Sequence, residues 1–271
     1  LTKTYDLLKE KFFLRSFQNQ RVMLLNIDEA NLLKKVIKEN ADRSDKFDRL
    51  NKVISSGWAY WINLDHEKFE WSLEVEPIDH FAEMNDLLSK NNMIFLSSSR
   101  RDNFLKKYLT KYEIKLTASI SFDSSFIEKN INIYIPSKLL LPNNPFFMKS
   151  TIDICKKFSF LSKGVSIFLS NEESLKIRLA TELASIYGQR VLLENYPKLD
   201  NQIVCSSYDW WISNLHLICP PDQIIIPLLP FPNMVEPINR ETISLLRSQS
   251  DNWFREFMFP EAIQTIDKAV A

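Results

Sequence analysis

Three strings along the chain gather hydroxyl, guanidinium or indole groups where a backbone turn could present them together. LSSSRR at Leu96–Arg101 offers Ser97, Ser98, Ser99, Arg100 and Arg101 where a short apolar run gives way to a helical pattern. Hydroxyls, the free N–H groups of a helix start and guanidinium groups all bind phosphate oxygens. A serine there equally caps the helix while the arginines face water, and both readings stay open because they use one geometry. SNEESL at Ser170–Leu175 has the same form. Here Glu172 and Glu173 suit the positive end of a helix dipole and would repel a phosphate, so the cap reading is favoured and only Ser170 and Asn171 remain as ligand candidates. SSYDWW at Ser206–Trp211 follows an apolar run with Ser207, Tyr208, Trp210 and Trp211. Ring faces at a strand end could stack the bases of a single strand, or serve as core or interface anchors, the commoner use of tryptophan.

Other polar chemistry is sparse. Only three glycines occur, Gly57, Gly164 and Gly188, among 271 residues, so neither GxxxxGKS/T nor GxGxxG can be written and a self-contained phosphate loop is excluded. His66, His80 and His216 are scattered, with no Cys or second His at ligand spacing, and no GxSxG, HExxH or Cys–His arrangement occurs. No catalytic residue and no metal ligand is expected. The three cysteines, Cys155, Cys205 and Cys219, are odd in number and lack CxxC spacing, which fits reduced core thiols.

Charge is balanced, 34 Lys+Arg against 34 Asp+Glu, so no global field draws in a polyanion and any nucleic-acid contact must be local. With 45% apolar and 12% aromatic residues the chain can fill a core, and disorder is excluded as its main state. No run approaches ~20 uninterrupted apolar residues, and LTKTYDLLKEKFF lacks the apolar core and cleavage site of a signal peptide. The chain therefore reads as soluble and cytoplasmic, with no membrane partner. It begins at Leu1 and stops at Ala271, as a piece of a longer protein would.

Two textures position the three strings. Residues 1–78 read as a helical segment: Leu7, Leu8, Phe12 and Phe13, then Leu32, Leu33, Val36 and Ile37, then Leu50, Val53 and Ile54 recur at three-to-four spacing. The aromatic-rich SSGWAYWINLDHEKFEWSLEVEP near its end suits a turn or short strand. From Asp79 onward helical patterns alternate with short apolar strands. Helices are predicted at 79–90, 100–112, 147–161, 172–187, 236–249 and 260–270, and strands at 93–98, 115–120, 131–136, 165–170, 190–194, 202–206 and 223–229. The expected class is α/β, a mostly parallel sheet of six or more strands flanked by helices, with an N-terminal helical appendage. Ligands of such open sheets sit at the carboxyl ends of the strands, where all three strings fall.

LLNIDEANLL at Leu24–Leu33 resembles the magnesium-holding D-E-A-H box of helicases, in which Asp28 would bind the ion and Glu29 polarise water. No phosphate loop precedes it, and Asn31 stands where that box has His. Ordinary capping preference makes it a helix start with Asp28 as cap.

The chain from Trp71 to the end resembles the second, RecA-like motor domain of DinG/XPD-type DNA helicases, a superfamily-two group. The resemblance rests first on IIIPLLPFPNMVEPINRETISLL and FREFMFPEAIQTI: a strand ending in L-P-F-P (Leu229–Pro232), a following acid-Pro (Glu236, Pro237), an aromatic-rich helix (Phe254, Phe257) and a P-E-A helix start (Pro260–Ala262). EPIDHFAEMNDLLSKNNMIFLSSSRR is similar to the segment leading to the family's strand S-A-T-L, with Ser97 on its first serine. GVSIFLSNEESL is similar to the family's strand ending in F-x-S, with Ser170 on that serine.

The resemblance implies that residues 79–271 form a RecA-like helicase C-terminal domain, and residues 1–78 the tail of an arch-like insertion. It implies Ser97 and Ser170 near a nucleic-acid track, single-stranded DNA as a partner, and the N-terminal motor half of the same parent protein as another. Two family boxes are eroded. The F-W-E-G-x-D box aligns with Trp210–Leu215, where Trp211 keeps the tryptophan and Ile212, Ser213 and Leu215 replace Glu, Gly and Asp. The Q-x-x-G-R box aligns with Lys268–Ala271, with Lys268 for Gln and Ala271 for Gly. ATP and magnesium are therefore expected only where a first motor half supplies the phosphate loop. The expected function is a second motor domain of an ATP-dependent DNA helicase, inactive alone, whose DNA contacts come from Ser97, Ser99, Arg100, Arg101, Ser170, Asn171, Ser207, Tyr208, Trp210 and Trp211. The alternative is a degenerate helicase-like domain acting as a protein-interaction or regulatory module.

Overall fold

A computed structural model describes residues 22–40, 57–65, 70–96, 109–115, 117–118, 120 and 132–270. The chain divides into two compact units. The first draws on Leu1–Phe95, Asp102–Leu116 and Pro232–Phe257, and the second on Leu96–Arg101, Thr117–Phe231 and Met258–Ala271. The boundary expected after residue 78 falls inside the first unit.

The first unit contains an antiparallel sheet of β1 (Val22–Leu25), β2 (Trp58–Asp65) and β3 (Glu70–Pro77), in that order. This corrects the reading of residues 1–78 as a helical segment with, at most, a short strand. WAYWINLD and EWSLEVEP alternate with period two, the pattern of a half-buried strand. Tyr60 stands opposite Val75 and Ile62 opposite Leu73, and these four belong to the core that Leu25, Ala30 and Leu33 complete. On the other face Glu74 accepts hydrogen bonds from Trp61 Nε1 (2.9 Å) and from Asn63 Nδ2.

Helix α1 (Ile27–Asn40) does begin within the DEA string, but Asp28 is not its cap. Asn26 Oδ1 accepts from Glu29 N and Glu29 Oε2 accepts from Asn26 N, each at 2.9 Å, a reciprocal capping box in which Asn26 leads. Helix α2 (His80–Lys90) opens on Asp79, whose carboxylate accepts from Ala82 N (3.2 Å), Lys111 Nζ (2.7 Å) and Tyr112 OH.

The second unit is the expected α/β layer. Strands β4 (Ser166–Leu169), β5 (Val191–Leu193), β6 (Ile203–Ser206) and β7 (Gln223–Ile225) form one parallel sheet in the order β5-β6-β4-β7. Every residue of β4 and β6 is buried, as continuous apolar strands covered on both faces must be. Helices α3 (Phe147–Ser159) and α4 (Glu173–Tyr187) cover Phe168, Ile203 and Cys205 with Ile152, Cys155, Leu175, Leu179 and Leu183. On the other face α5 (Tyr208–Asn214) and α7 (Phe259–Val270) cover Ile167, Leu169 and Val204. Between them in sequence, α6 (Pro237–Ser248) belongs to the first unit.

At the amino end of β4, Gly164 N donates to Asp222 Oδ2 (2.7 Å), and the carboxylate fills the space a Cβ would take. That close approach sets β4 beside β7.

Among the described residues the parallel sheet has four strands, against six or more expected. The described residues of the predicted strands 93–98, 115–120 and 131–136 join no ladder; Ile94, Leu96, Ile120, Ile133, Tyr134 and Ile135 are exposed. An apolar run supports extended backbone but does not choose a pairing partner, which is a non-local contact. The predicted helix 100–112 lies largely outside the described residues. Cys155 and Cys205 are buried free thiols, pushed by burial up to about 12 and so inert as nucleophiles, whereas Cys219 is exposed.

Candidate nucleic-acid interface

From β4 the chain passes through α4 to β5, beyond β6; from β6 it passes through α5 to β7, beyond β4. Two crossovers leaving neighbouring strands in opposite directions make a topological switch point, and the carboxyl ends of β4 and β6 are where an open sheet offers a ligand crevice. Ser170, Asn171, Ser207 and Tyr208 all come to this point.

Most of their polar atoms are spent on the fold. Ser170 N donates to Ser206 O (3.0 Å), and Ser170 Oγ accepts from Glu172 N (3.2 Å). Asn171 Oδ1 accepts from Tyr208 N (3.0 Å), tying the loop after β4 to the start of α5. Ser207 Oγ accepts from Trp210 N (3.3 Å), an N-cap for α5. Ser170 is buried, Ser207 half-buried and Asn171 exposed. The capping reading of SNEESL is corrected in detail: the N-cap of α4 is Glu172, which makes no side-chain cap hydrogen bond, and Ser170 instead turns the backbone just before the helix.

The aromatic string divides in two. Tyr208 (0% exposed) and Trp211 (1%) lie in the core between the sheet and α7, so neither ring has a face open to a base or to a protein partner. For these two rings burial corrects the stacking and interface readings and supports the core alternative. Alternation of the short helix dictates it: Tyr208 and Trp211 are three apart and share the inward face. Trp211 Nε1 donates to Ala269 O (2.7 Å), while Tyr208 OH and Ser206 Oγ have no hydrogen-bond partner among the described residues. Burial pushes the Tyr208 phenol well above its ordinary pKa.

Trp210 remains half-buried at the surface. Its ring meets that of Tyr196 at a centroid distance of 5.6 Å and an interplanar angle of 47°. Tyr196 lies in the β5–β6 connection and was not singled out by sequence. Its only local signal is an aromatic residue preceding Pro197 between two strands.

A charge cluster braces the same end of the sheet. Lys176, on the first turns of α4, is 5% exposed, and its Nζ lies 2.6 Å from Glu173 Oε2 and 2.7 Å from Glu194 Oε1. Glu194 Oε1 also accepts from Ser207 N (3.0 Å). Glu194 adopts a φ of 45°, a left-handed conformation rare outside glycine and asparagine, held by these contacts and by its own N–H to Cys205 O. Burial by itself would pull the Lys176 ammonium down, but the bonds to Glu173 and Glu194 outweigh it and raise its pKa. The bond from Lys176 holds the Glu194 carboxyl below the usual carboxylate range, against an opposing effect of burial.

With Glu172, Glu173 and Glu194 at this end and Lys176 ion-paired, the cation left to a phosphate on the loops leaving β4 and β5 is the exposed Lys198. What the switch point offers besides is an aromatic surface. Ser97, Ser99, Arg100 and Arg101, the phosphate-binding candidates, lie outside the described residues. Among the described residues no group of three or more His, Cys, Asp or Glu side chains could hold a metal ion, and no helix is long and apolar enough to cross a membrane.

No protein-family model matches the chain, and no curated protein sequence matches it significantly.

Proposed function

We propose that this chain is a RecA-like second motor domain of the DinG/XPD helicase type that holds single-stranded DNA at the carboxyl edge of its parallel sheet and does not hydrolyse ATP alone. The observation that carries the reading is the switch point itself. A parallel sheet covered on both faces ends, at β6, in a helix that turns two aromatic rings inward and leaves Trp210 outward beside Tyr196. Strand-end aromatics on a rigid sheet are suited to sequence-tolerant base stacking. The helicase-like string FLS lies at the end of β4, while LPFP begins four residues after β7 ends at Ile225, not within the strand.

In this reading ATP and magnesium are bound only when a first motor half brings the phosphate loop, because three glycines cannot build one here. That half, from the same parent protein, and single-stranded DNA are the partners, and the setting is cytoplasmic.

Fluorescence anisotropy of labelled oligo-dT with the full chain tests the reading. Binding is expected at low salt, with log affinity falling against log salt at a shallow slope of about −1, since few phosphates are neutralised by a chain without net charge. No binding at low salt, or phosphate release from ATP and magnesium by the chain alone, would contradict it.

A further inference from the structure

Tyr196 is fixed from several sides. Its hydroxyl donates to Asn214 Oδ1 (2.5 Å), Asn214 Nδ2 donates to Trp210 O (2.6 Å), and the Trp210 ring leans against one side of it. Its backbone N–H donates to Asn195 Oδ1 (2.8 Å). The connection that carries it is pinned at the far end as well. Gln202, itself buried, accepts from Leu199 N (3.0 Å) and Lys198 N (2.5 Å), and Arg190 donates through Nε and Nη2 to Asn201 O (2.9 and 2.6 Å). At the near end Glu194 is locked by Lys176. Despite these restraints Tyr196 stays 41% exposed as a residue.

A wedge of 47° with centroids 5.6 Å apart is too narrow to admit a third ring between the two. Trp210 is therefore a brace, and the receptive surface is the outer face of Tyr196.

We propose that Tyr196, braced by Trp210 and Asn214, is a stacking platform for one nucleobase of a single strand. This rests on the single-strand-binding reading above and replaces Tyr208 and Trp211 as its aromatic contact. The ion-paired charges at this end, Lys176 with Glu173 and Glu194, leave a phosphate little to bind; the exposed Lys198, two residues beyond Tyr196, carries the remaining positive charge of the β5–β6 connection, and the ring itself is a surface for a base. A ring already held in one orientation loses no rotamer freedom when a base covers it, so stacking is realised in full. Because the contact is made by a π-face it carries no sequence preference.

The test compares wild type, Tyr196→Ala and Tyr196→Phe for binding to oligo-dT and to an abasic strand of equal length over a range of salt. Tyr196 is on an exposed loop, and circular dichroism together with urea unfolding checks that each variant folds. For Tyr196→Ala the expected loss on oligo-dT is about tenfold, with the salt slope unchanged, because no phosphate contact is removed. Tyr196→Phe keeps most of the affinity. On the abasic strand wild type and Tyr196→Ala bind alike. Equal affinity of wild type and Tyr196→Ala for oligo-dT, or an equal loss on the abasic strand, overturns the platform and leaves single-strand binding standing. No oligo-dT binding by wild type removes both.

Discussion

Trp211→Ala is expected to lower folding stability by about 4 kcal/mol, the range for deleting a large aromatic side chain from a packed core. Trp211 is 1% exposed, and its indole fills the space between the sheet residues Ile167, Leu169 and Val204 and the C-terminal helix. Two losses add. A cavity opens that a seven-residue helix cannot close, and Ala269 O loses the indole N–H that satisfies it. Carbonyls in the last turn of a helix have no intrahelical partner. Trp211→Phe, which keeps most of the volume and loses the hydrogen bond, is expected to cost about 2 kcal/mol. Urea unfolding followed by near-UV circular dichroism measures both. A loss under 1 kcal/mol for Trp211→Ala would mean that α7 does not seat on α5.

The second large effect is at Lys176. Replacing it with alanine leaves the Glu194 carboxylate facing Ser207 N without its cation, and strips the buried stem from α4. The expected cost is about 2 kcal/mol at pH 7, between exposed and fully buried ion pairs, because the Glu194 side chain is still 33% exposed. Glu173, 65% exposed, contributes little to the pair. The pH dependence follows from two shifts of opposite sense. Glu194 titrates below its unfolded value, so its contribution is full above the ordinary carboxylate range and is lost as pH falls through the depressed value. Lys176 titrates above its unfolded value, so its contribution is full below the ordinary lysine range and is lost as pH rises through the elevated one. The difference between wild type and Lys176→Ala should thus be flat from about pH 5 to pH 9 and shrink at both extremes. Urea midpoints across pH measure it, and a difference that grows in acid would contradict the assignment.

What could be read from the sequence follows from how local each signal is. GVSIFLS and QIVCSS become the central strands β4 and β6 because continuous apolar runs of that length have few other uses in an α/β layer. Leu175, Leu179 and Leu183 mark the buried stripe of α4 by spacing alone. The antiparallel sheet of the first unit is legible in the period-two alternation of residues 58–65 and 70–77, beside a helical spacing of the leucines before it that points the other way. The N-x-x-E box at Asn26–Glu29 was likewise present, and the neighbouring Asp28 is an equally good cap by type. The described residues of three predicted strands join no ladder, since extended propensity was present and a partner was not specified.

At the candidate site the positions were legible and the orientations were not. Ser170, Asn171 and Ser207 reach the switch point as expected, but which rings of SSYDWW face outward depends on a helix beginning at Tyr208. The signal was the S-x-x spacing from Ser207 to Trp210 with Asp209 in the first turn. Tyr196 could not have been paired with Trp210 from sequence, because the contact spans the β5–β6 connection and is made by tertiary packing.

Photo-crosslinking of oligo-dT carrying 5-iododeoxyuridine to the full chain, with the adducts mapped by mass spectrometry, tests most directly whether the carboxyl edge of this sheet is the DNA-binding face. Adducts on the peptide spanning Glu194–Asn214, centred on Tyr196 and reduced in Tyr196→Ala, are the expected result. Adducts that leave this peptide unmodified while labelling other parts of the chain would contradict it.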